Sequence, residues 1–256
     1  MSRTKSAVLL LSLVGITTYS TAQQASPNPP AVFQAAIASL NSGSVTSLGL
    51  SGTFEAPAGD ASETGSFSAG CGISGTSQIQ MQLSSGSRTE NRQMVSGVAA
   101  GNWVDEQGAL HQMPLHNVQT PPGWFCPQIA LAEILQSTGL AILFIGNETK
   151  GGIPVLHYSV VSSNSITLSQ LSGSSDLAQT EVYLDAATLK PVAFAFNTHP
   201  DDNALVDIPV EIQFDGYVGF DGVLIPGTVT KSINGSVVLT LQISSASPAT
   251  SISPSN

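Results

Sequence analysis

Charged residues are scarce in this sequence. Asp, Glu, Lys and Arg make up 9% of the chain, against about 25% in an ordinary domain. Basic residues are the rarest: five follow position 22, against 17 acidic residues, so that part of the chain carries a net charge of −12. Nucleic-acid binding needs a basic face that neutralises phosphates. The composition therefore excludes nucleic acid as a partner and excludes charge-driven adhesion to anionic lipid surfaces.

Long apolar runs are also missing after the N-terminus, where no stretch approaches the 18 residues of a membrane span. Residues 1–22 combine the basic start MSRTK, the apolar run SAVLLLSLVGI and the small residues Ser20-Thr21-Ala22. This combination is typical of a cleavable secretory signal peptide, the alternative being an N-terminal membrane anchor. We expect a mature chain without transmembrane segments that is periplasmic or secreted.

Cysteine is limited to Cys71 and Cys126. In an oxidising compartment the two are expected to form a disulfide, closing a loop of about 55 residues that stabilises the fold by about 4 kcal/mol. Two unpaired buried thiols are the alternative. Neither cysteine lies in a C-x-x-C or beside a histidine cluster, so we predict no metal site and no cofactor.

Alternating apolar residues dominate the rest of the chain. In VDIPVEIQF (206–214) every second residue is apolar, which places those five side chains on one face of a strand. About ten such strands are expected, including SITLSQL (165–171), and LAILFIGN (140–147) is interpreted as a buried turn or short strand. Helical spacing occurs only at 31–41 and 127–137, each with a proline at its start.

The apolar face of these strands must be covered, since each buried Val, Ile or Phe contributes about 1.5–3 kcal/mol. A two-sheet sandwich, a closed barrel, or one curved sheet wrapped around the two helices would cover it. One helix precedes the strands and the other interrupts them, which favours the curved sheet. We predict a mainly β fold with an open antiparallel half-barrel over residues 31–246. A polar lead-in (23–30) and a flexible tail (247–256) flank it.

Three segments carry a resemblance to a known family. They are GNWVDEQGALHQ (101–112), TEVYLDAATLKPVAFAF (180–196) and VEIQFDGYVGFDGVLIPGTVT (210–230). Together with the N-terminal helix they resemble the LolA-like periplasmic lipoprotein carriers, over about residues 31–245. The resemblance implies an open half-barrel with helices across its mouth and an apolar cavity that holds acyl chains. The cysteine pair and the shortage of basic residues depart from the family.

These observations predict a non-catalytic, monomeric binding protein that holds an acyl chain, a lipoprotein lipid or another hydrophobic ligand. Burial of alkyl groups at about 0.8 kcal/mol per CH₂ supplies the affinity. A structural or glycan-binding β-sandwich and a hydrolase are the alternatives. The residues predicted to line the cavity are Val32, Ile37, Trp124, Phe125, Leu131, Leu135, Ile208, Val210, Ile212, Phe214, Leu239 and Leu241.

Other polar groups give weaker signals. The four histidines (His111, His116, His157 and His199) match no zinc spacing, and the sequence has no G-x-S-x-G nucleophile motif. The acidic loop 198–207 offers oxygen ligands for Ca²⁺ but lacks the EF-hand pattern. A solvated hairpin with Asx turns is the preferred interpretation of that loop.

Overall fold

The structure is a computed structural model that describes residues 28–42, 44–59, 61–96, 98–118, 123–162 and 179–249. The predicted signal peptide, the strand expected at 165–171 and most of the C-terminal tail lie outside these residues. The described residues contain three helices: α1 (Pro29–Ser39), α2 (Leu115–Val118) and α3 (Pro127–Gln136). No helix in the described ranges has the length and apolar character needed to cross a membrane.

The strands of the described chain are β1 (Ser47–Ala58), β2 (Ala61–Gly72), β3 (Thr76–Leu83), β4 (Gly86–Val95), β5 (Val98–Val104), β6 (Leu110–Gln112), β7 (Leu140–Lys150), β8 (Ile153–Ser162), β9 (Thr180–Asp185), β10 (Pro191–Thr198), β11 (Ile208–Asp215), β12 (Val218–Phe220), β13 (Val223–Ile225), β14 (Thr228–Ile233) and β15 (Ser236–Pro248).

Thirteen of these strands form one antiparallel sheet, in the order β6-β5-β4-β3-β2-β1-β15-β14-β11-β10-β9-β8-β7. The first strand therefore pairs with the last, and the two edges, β6 and β7, are consecutive in the chain. The connection between these edges contains α2 and α3. The sheet is curved and does not close, which confirms the predicted open half-barrel. It also rules out the two-sheet sandwich.

The apolar face of the sheet packs against α1 and α3. On β11, Val210, Ile212 and Phe214 are buried, while the alternate residues point away. Phe33 and Ala36 of α1 and Ile129, Ala130 and Leu131 of α3 join these strand residues in one buried cluster. The helices therefore cover the concave face, because that face carries the apolar half of each alternating strand.

Several details differ from the sequence predictions. The buried residues of α1 are Phe33 and Ala36, and Leu40 is buried just after the helix, whereas Val32 and Ile37 are only partly buried. Residues 140–147 begin an 11-residue edge strand, and its Leu143 side chain is exposed. A single strand is expected from the sequence of residues 222–233, but this segment splits into β13 and β14, because β12 and β13 form a separate two-stranded hairpin.

The strand predicted from Val206 begins at Ile208 instead. Val206 is exposed and Ile208 is half-buried, so neither belongs to the deep core. The Asn-Gly pair at 234–235 is a typical tight-hairpin sequence, and Asn234 (φ 50°) and Gly235 (φ 77°) both adopt left-handed backbone conformations between β14 and β15. Tight two-residue hairpins require such conformations, which Asn and Gly tolerate best.

Cys71 and Cys126 form the predicted disulfide. Cys71 lies in β2, and Cys126 immediately precedes α3, where Pro127 occupies the first turn. Both cysteines are fully buried. The bond therefore fixes the start of the covering helix to the concave face of the sheet.

Candidate binding pocket on the concave face

A pocket of about 200 Å³ opens on the concave face, between β4 and β5 on one side and β10, β11 and β14 on the other. Its two walls belong to the same curved sheet, and Trp124, from the loop before α3, contributes to the lining. We call this the concave pocket. Its lining consists of Glu90, Arg92, Trp103, Met113, Pro114, Asn117, Trp124, Phe196, Thr198, Asp201, Val210, Lys231 and Ile233.

Strand register explains how charged side chains come to lie on an apolar face. Lys231 is directly opposite the buried Ile212, and Glu90 is directly opposite the buried Ile79. Opposed residues of an antiparallel pair project to the same side of the sheet. Arg88 and Arg92, two positions to either side of Glu90, therefore share the concave side with it.

The charges of β4 are partly paired with one another. Arg92 Nε lies 3.0 Å from Glu90 Oε1, and Arg92 Nη1 donates to Asn117 O at 3.2 Å. Burial raises the pKa of Glu90, but the positive charges of Arg92, Lys231 and Arg88 outweigh burial and hold that pKa below its ordinary value. Glu90 is therefore an anion at neutral pH.

Lys231 has no such partner. Its Nζ lies 5.0 Å from the ring centroid of Trp124, and within the described ranges it makes no hydrogen bond or ion pair. Burial lowers the pKa of Lys231, an effect that Glu90 opposes and the two arginines reinforce. The indole Nε1 of Trp124 is also buried without an acceptor among the described residues.

A hydrogen-bonded contact closes one end of the concave face. Asn117, in α2, donates from Nδ2 to His199 O at 2.8 Å. Its Oδ1 accepts from Thr198 Oγ1 and from His199 N, each at 2.9 Å. His116 Nε2 lies 3.2 Å from Pro200 O. The segment that leaves edge strand β6 is thereby joined to the segment that leaves β10, and it covers the pocket at that end.

The acidic loop 198–207 contributes only to the rim of the concave pocket. Asp201 lines the concave pocket and is exposed, and Asn203 Oδ1 accepts from Leu205 N in an Asx turn. His199 Nδ1 lies 3.1 Å from Val206 O. Among the described residues no group of three or more His, Cys, Asp or Glu side chains is arranged to hold a metal ion.

The other histidines are dispersed. His111 stacks on Trp103 with ring centroids 3.9 Å apart and lies 3.0 Å from Asp105 Oδ2. His157 lies on the convex face between Glu148 and Glu181, at 2.7 Å and 2.6 Å. The ring centroids of His116 and His199 are 5.8 Å apart beside the pocket rim. The four therefore occupy three separate environments.

The structure separates the predicted cavity residues into three groups. Trp124 and Val210 line the concave pocket. Ile208 is half-buried at the start of β11. The remaining predicted residues pack in the buried cluster or at its border: Val32, Ile37, Phe125, Leu131, Leu135, Ile212, Phe214, Leu239 and Leu241. Their contact with a ligand remains a prediction, and in this structure protein side chains cover them.

The sequence analysis missed the polar half of the pocket. The signal was present in TVTKSI, where Lys231 takes the position of an apolar residue between Val229 and Ile233. It was also present in RTENR, where three charged residues alternate in β4. Which face a polar strand presents depends on its neighbours, so the β4 charges could be placed only with the register known.

A half-buried carboxyl on α3, that of Glu133, gives the fold a pH dependence. Burial raises the pKa of Glu133 from its ordinary 4.5 to about 7. The folded state therefore holds a proton that the unfolded state releases, and stability falls as pH rises through this window, by up to about 3 kcal/mol. Glu133→Gln is expected to recover most of that loss at about pH 8 and to change little at about pH 4.

Urea unfolding at both pH values measures this effect, with Glu55→Gln, at an exposed position of β1, as the matched control. Equal stability of Glu133→Gln and the parent chain at the higher pH would show that the carboxyl is well solvated.

No known protein family matches the sequence, and no curated protein sequence matches it. Solved structures do match in fold. A putative outer-membrane lipoprotein-sorting protein domain from Vibrio parahaemolyticus superposes with a TM-score of 0.54 at 10% identity, covering 88% of this chain and 94% of that one. A LolA superfamily protein from Nitrosomonas europaea superposes with a TM-score of 0.52 at 10% identity, covering 86% of this chain and 93% of that one.

A DUF1329 family protein from Desulfovibrio piger gives a TM-score of 0.54 at 9% identity, covering 88% of this chain and 95% of that one. At such low identity these matches show the fold alone. The chain therefore has a LolA-like fold, as the resemblance in the sequence implied.

Proposed function

We propose that this chain is an exported, non-catalytic binding protein that holds an acyl chain, a lipoprotein lipid or another hydrophobic ligand in the concave pocket. The observation that carries the proposal is the lining itself. Both tryptophans of the sequence, together with Met113 and Phe196, converge on a pocket in a chain with only 6% aromatic residues. Concave apolar sites with a few convergent polar groups are the usual form of ligand pockets.

The fold supports the same proposal. One of the matching structures is described as a lipoprotein-sorting domain and another as a LolA superfamily protein, and the predicted signal peptide would export this chain. The pocket ends at the contact between α2 and residues 198–200, which hydrogen bonds of Asn117 and His116 hold in place. Separation of this contact would lengthen the pocket along the concave face and allow an alkyl chain to enter.

Fluorescence quenching tests the proposal directly, because the only two tryptophans both line the pocket. Dibrominated stearyl alcohol, whose bromines quench indole on contact, is expected to quench the mature chain saturably. Unlabelled straight-chain alcohols should compete, with the dissociation constant falling about fourfold for each added CH₂ until the pocket is full.

Two valine substitutions provide a matched pair for this assay. Val210→Phe narrows the pocket from β11 and is expected to weaken binding about tenfold or more. Val237→Phe, at a position of β15 that is 46% exposed, should leave binding unchanged. Quenching that is linear in ligand, or equal in both variants, would show that the alcohol does not occupy this pocket.

A further inference from the structure

Cations are concentrated at one end of the concave face. The described ranges contain five Lys and Arg residues. Two of them, Arg92 and Lys231, line the concave pocket, and the exposed Arg88 lies over the ring of the lining residue Trp103. The whole chain, in contrast, carries a net charge of −10. Local positive charge in an acidic protein attracts anions to one place and repels them elsewhere.

Lys231 occupies an unfavourable place for a cation that lacks a ligand. Ile212 of β11 and Leu239 of β15 lie directly opposite it on its two sides, and Val229 and Ile233 flank it on its own strand. Lys231 is half-buried at this place, and an ammonium among apolar side chains loses part of its hydration, which an acceptor can replace. Its contact with the Trp124 ring fixes its position without supplying such an acceptor.

The carboxylates of the pocket do not supply it either. Glu90 is engaged by Arg92 at 3.0 Å, and no ion pair joins it to Lys231. Asp201 is exposed at the rim. Arg88 is exposed, and its guanidinium carbon lies 4.8 Å from the Trp103 ring centroid. Of the two cations that line the pocket, Arg92 is therefore paired and Lys231 has no acceptor among the described residues.

Trp124 gives a second, independent indication of a missing acceptor. The residue lines the pocket and is only 2% exposed, and its Nε1 donor has no partner within the described part of the chain. Buried indole donors are normally satisfied by an oxygen. Beside the Lys231 ammonium, the indole N–H is thus a second donor that has no oxygen acceptor among the described residues.

We infer that the ligand is an amphiphile with an anionic oxygen headgroup, a carboxylate or a phosphate, which accepts a charge-assisted hydrogen bond from Lys231. The inference rests on the proposed function, since the apolar part of the same pocket holds the chain of the amphiphile. To the proposed function it adds the chemical class of the ligand's polar end. An acid or a phosphate ester binds, and the neutral analogue with the same alkyl chain binds more weakly.

Three probes with one chain test the headgroup: dibromostearate, dibromostearyl phosphate and dibromostearyl alcohol, each titrated by tryptophan quenching below its aggregation concentration. For the parent chain, one or both anions are expected to bind about tenfold or more tightly than the alcohol. Which of the two anions binds more tightly distinguishes a carboxylate from a phosphate. Competition by inorganic phosphate alone identifies the contribution of the headgroup without the chain.

Two lysine variants complete the test. Lys231→Met is expected to abolish the preference for the anions over the alcohol. Lys190→Met, whose ammonium lies near Tyr217 instead, should change neither. Alcohol that binds as tightly as both anions, or an anion preference that survives in Lys231→Met, overturns the headgroup inference while the pocket stands. Failure of all three probes to bind overturns the proposed function and the inference with it.

Discussion

Leu241→Asp is expected to prevent the chain from folding. Leu241 is fully buried on β15, opposite Phe54 of β1 and Val229 of β14, at the seam where the first strand meets the last. The substitution removes about 1.5–3 kcal/mol of apolar burial and places an unpaired carboxylate in the core at several kcal/mol more. Together these losses approach the whole stability of a typical domain, about 5–15 kcal/mol.

The neighbouring position provides the control. Gln242 is exposed on the opposite face of β15, and Gln242→Asp is expected to change the free energy of unfolding by less than about 1 kcal/mol. Circular dichroism and urea unfolding of the two variants make the comparison. A cooperatively folded Leu241→Asp chain with nearly parental stability would contradict the placement of this face against the helices.

Loss of the disulfide has the second large expected effect. Cys71 and Cys126 close a loop with a sequence separation of 55, and a loop of that length stabilises the folded state by about 4 kcal/mol through the entropy of the unfolded chain. The variant with both cysteines replaced by alanine should lose about that much and should release the start of α3 from β2.

Urea unfolding with and without a thiol reductant separates this effect from side-chain packing. Reductant should lower the stability of the parent chain towards that of the double variant and leave the double variant unchanged. If the reductant does not change the stability of the parent chain in urea, the disulfide does not contribute to that stability in solution.

Much of the fold could be predicted because its alternating pattern is strict. The face of β11 carrying Val210, Ile212 and Phe214 is defined by period 2 alone, and Asn234-Gly235 marks the hairpin that follows. The position of the helix at 127–137, between strands, indicated a single sheet wrapped around helices. These signals are local, so they can be interpreted without the partners of each strand.

Other features depend on contacts between distant residues. The pairing of β1 with β15 joins segments about two hundred residues apart, and no local pattern specifies it. The edge strand β7 resembled a buried segment because its residues are apolar, yet an edge strand that is covered on one face leaves Leu143 and Ile145 exposed. Helix α2, with four residues, is too short to show a period.

The concave pocket likewise contains one residue that could be predicted from the sequence and one that could not. Trp124 was recognised from its proline-stiffened loop, as an aromatic residue that could contact a ligand. Lys231 was not, because a single lysine within an alternating strand is usually one that extends to solvent. Only the register with Ile212 and Leu239 shows that its side chain lies among apolar neighbours on the concave face.

Native mass spectrometry of the mature chain tests the central claim most directly. The protein would be exported in a bacterial host, purified without detergent and measured before and after organic extraction. The proposed function predicts an adduct of lipid mass that extraction removes and that returns when an acidic amphiphile is added. A clean apo mass before extraction, with no adduct after lipids and acylated peptides are offered, would contradict it and leave a half-barrel filled by its own side chains.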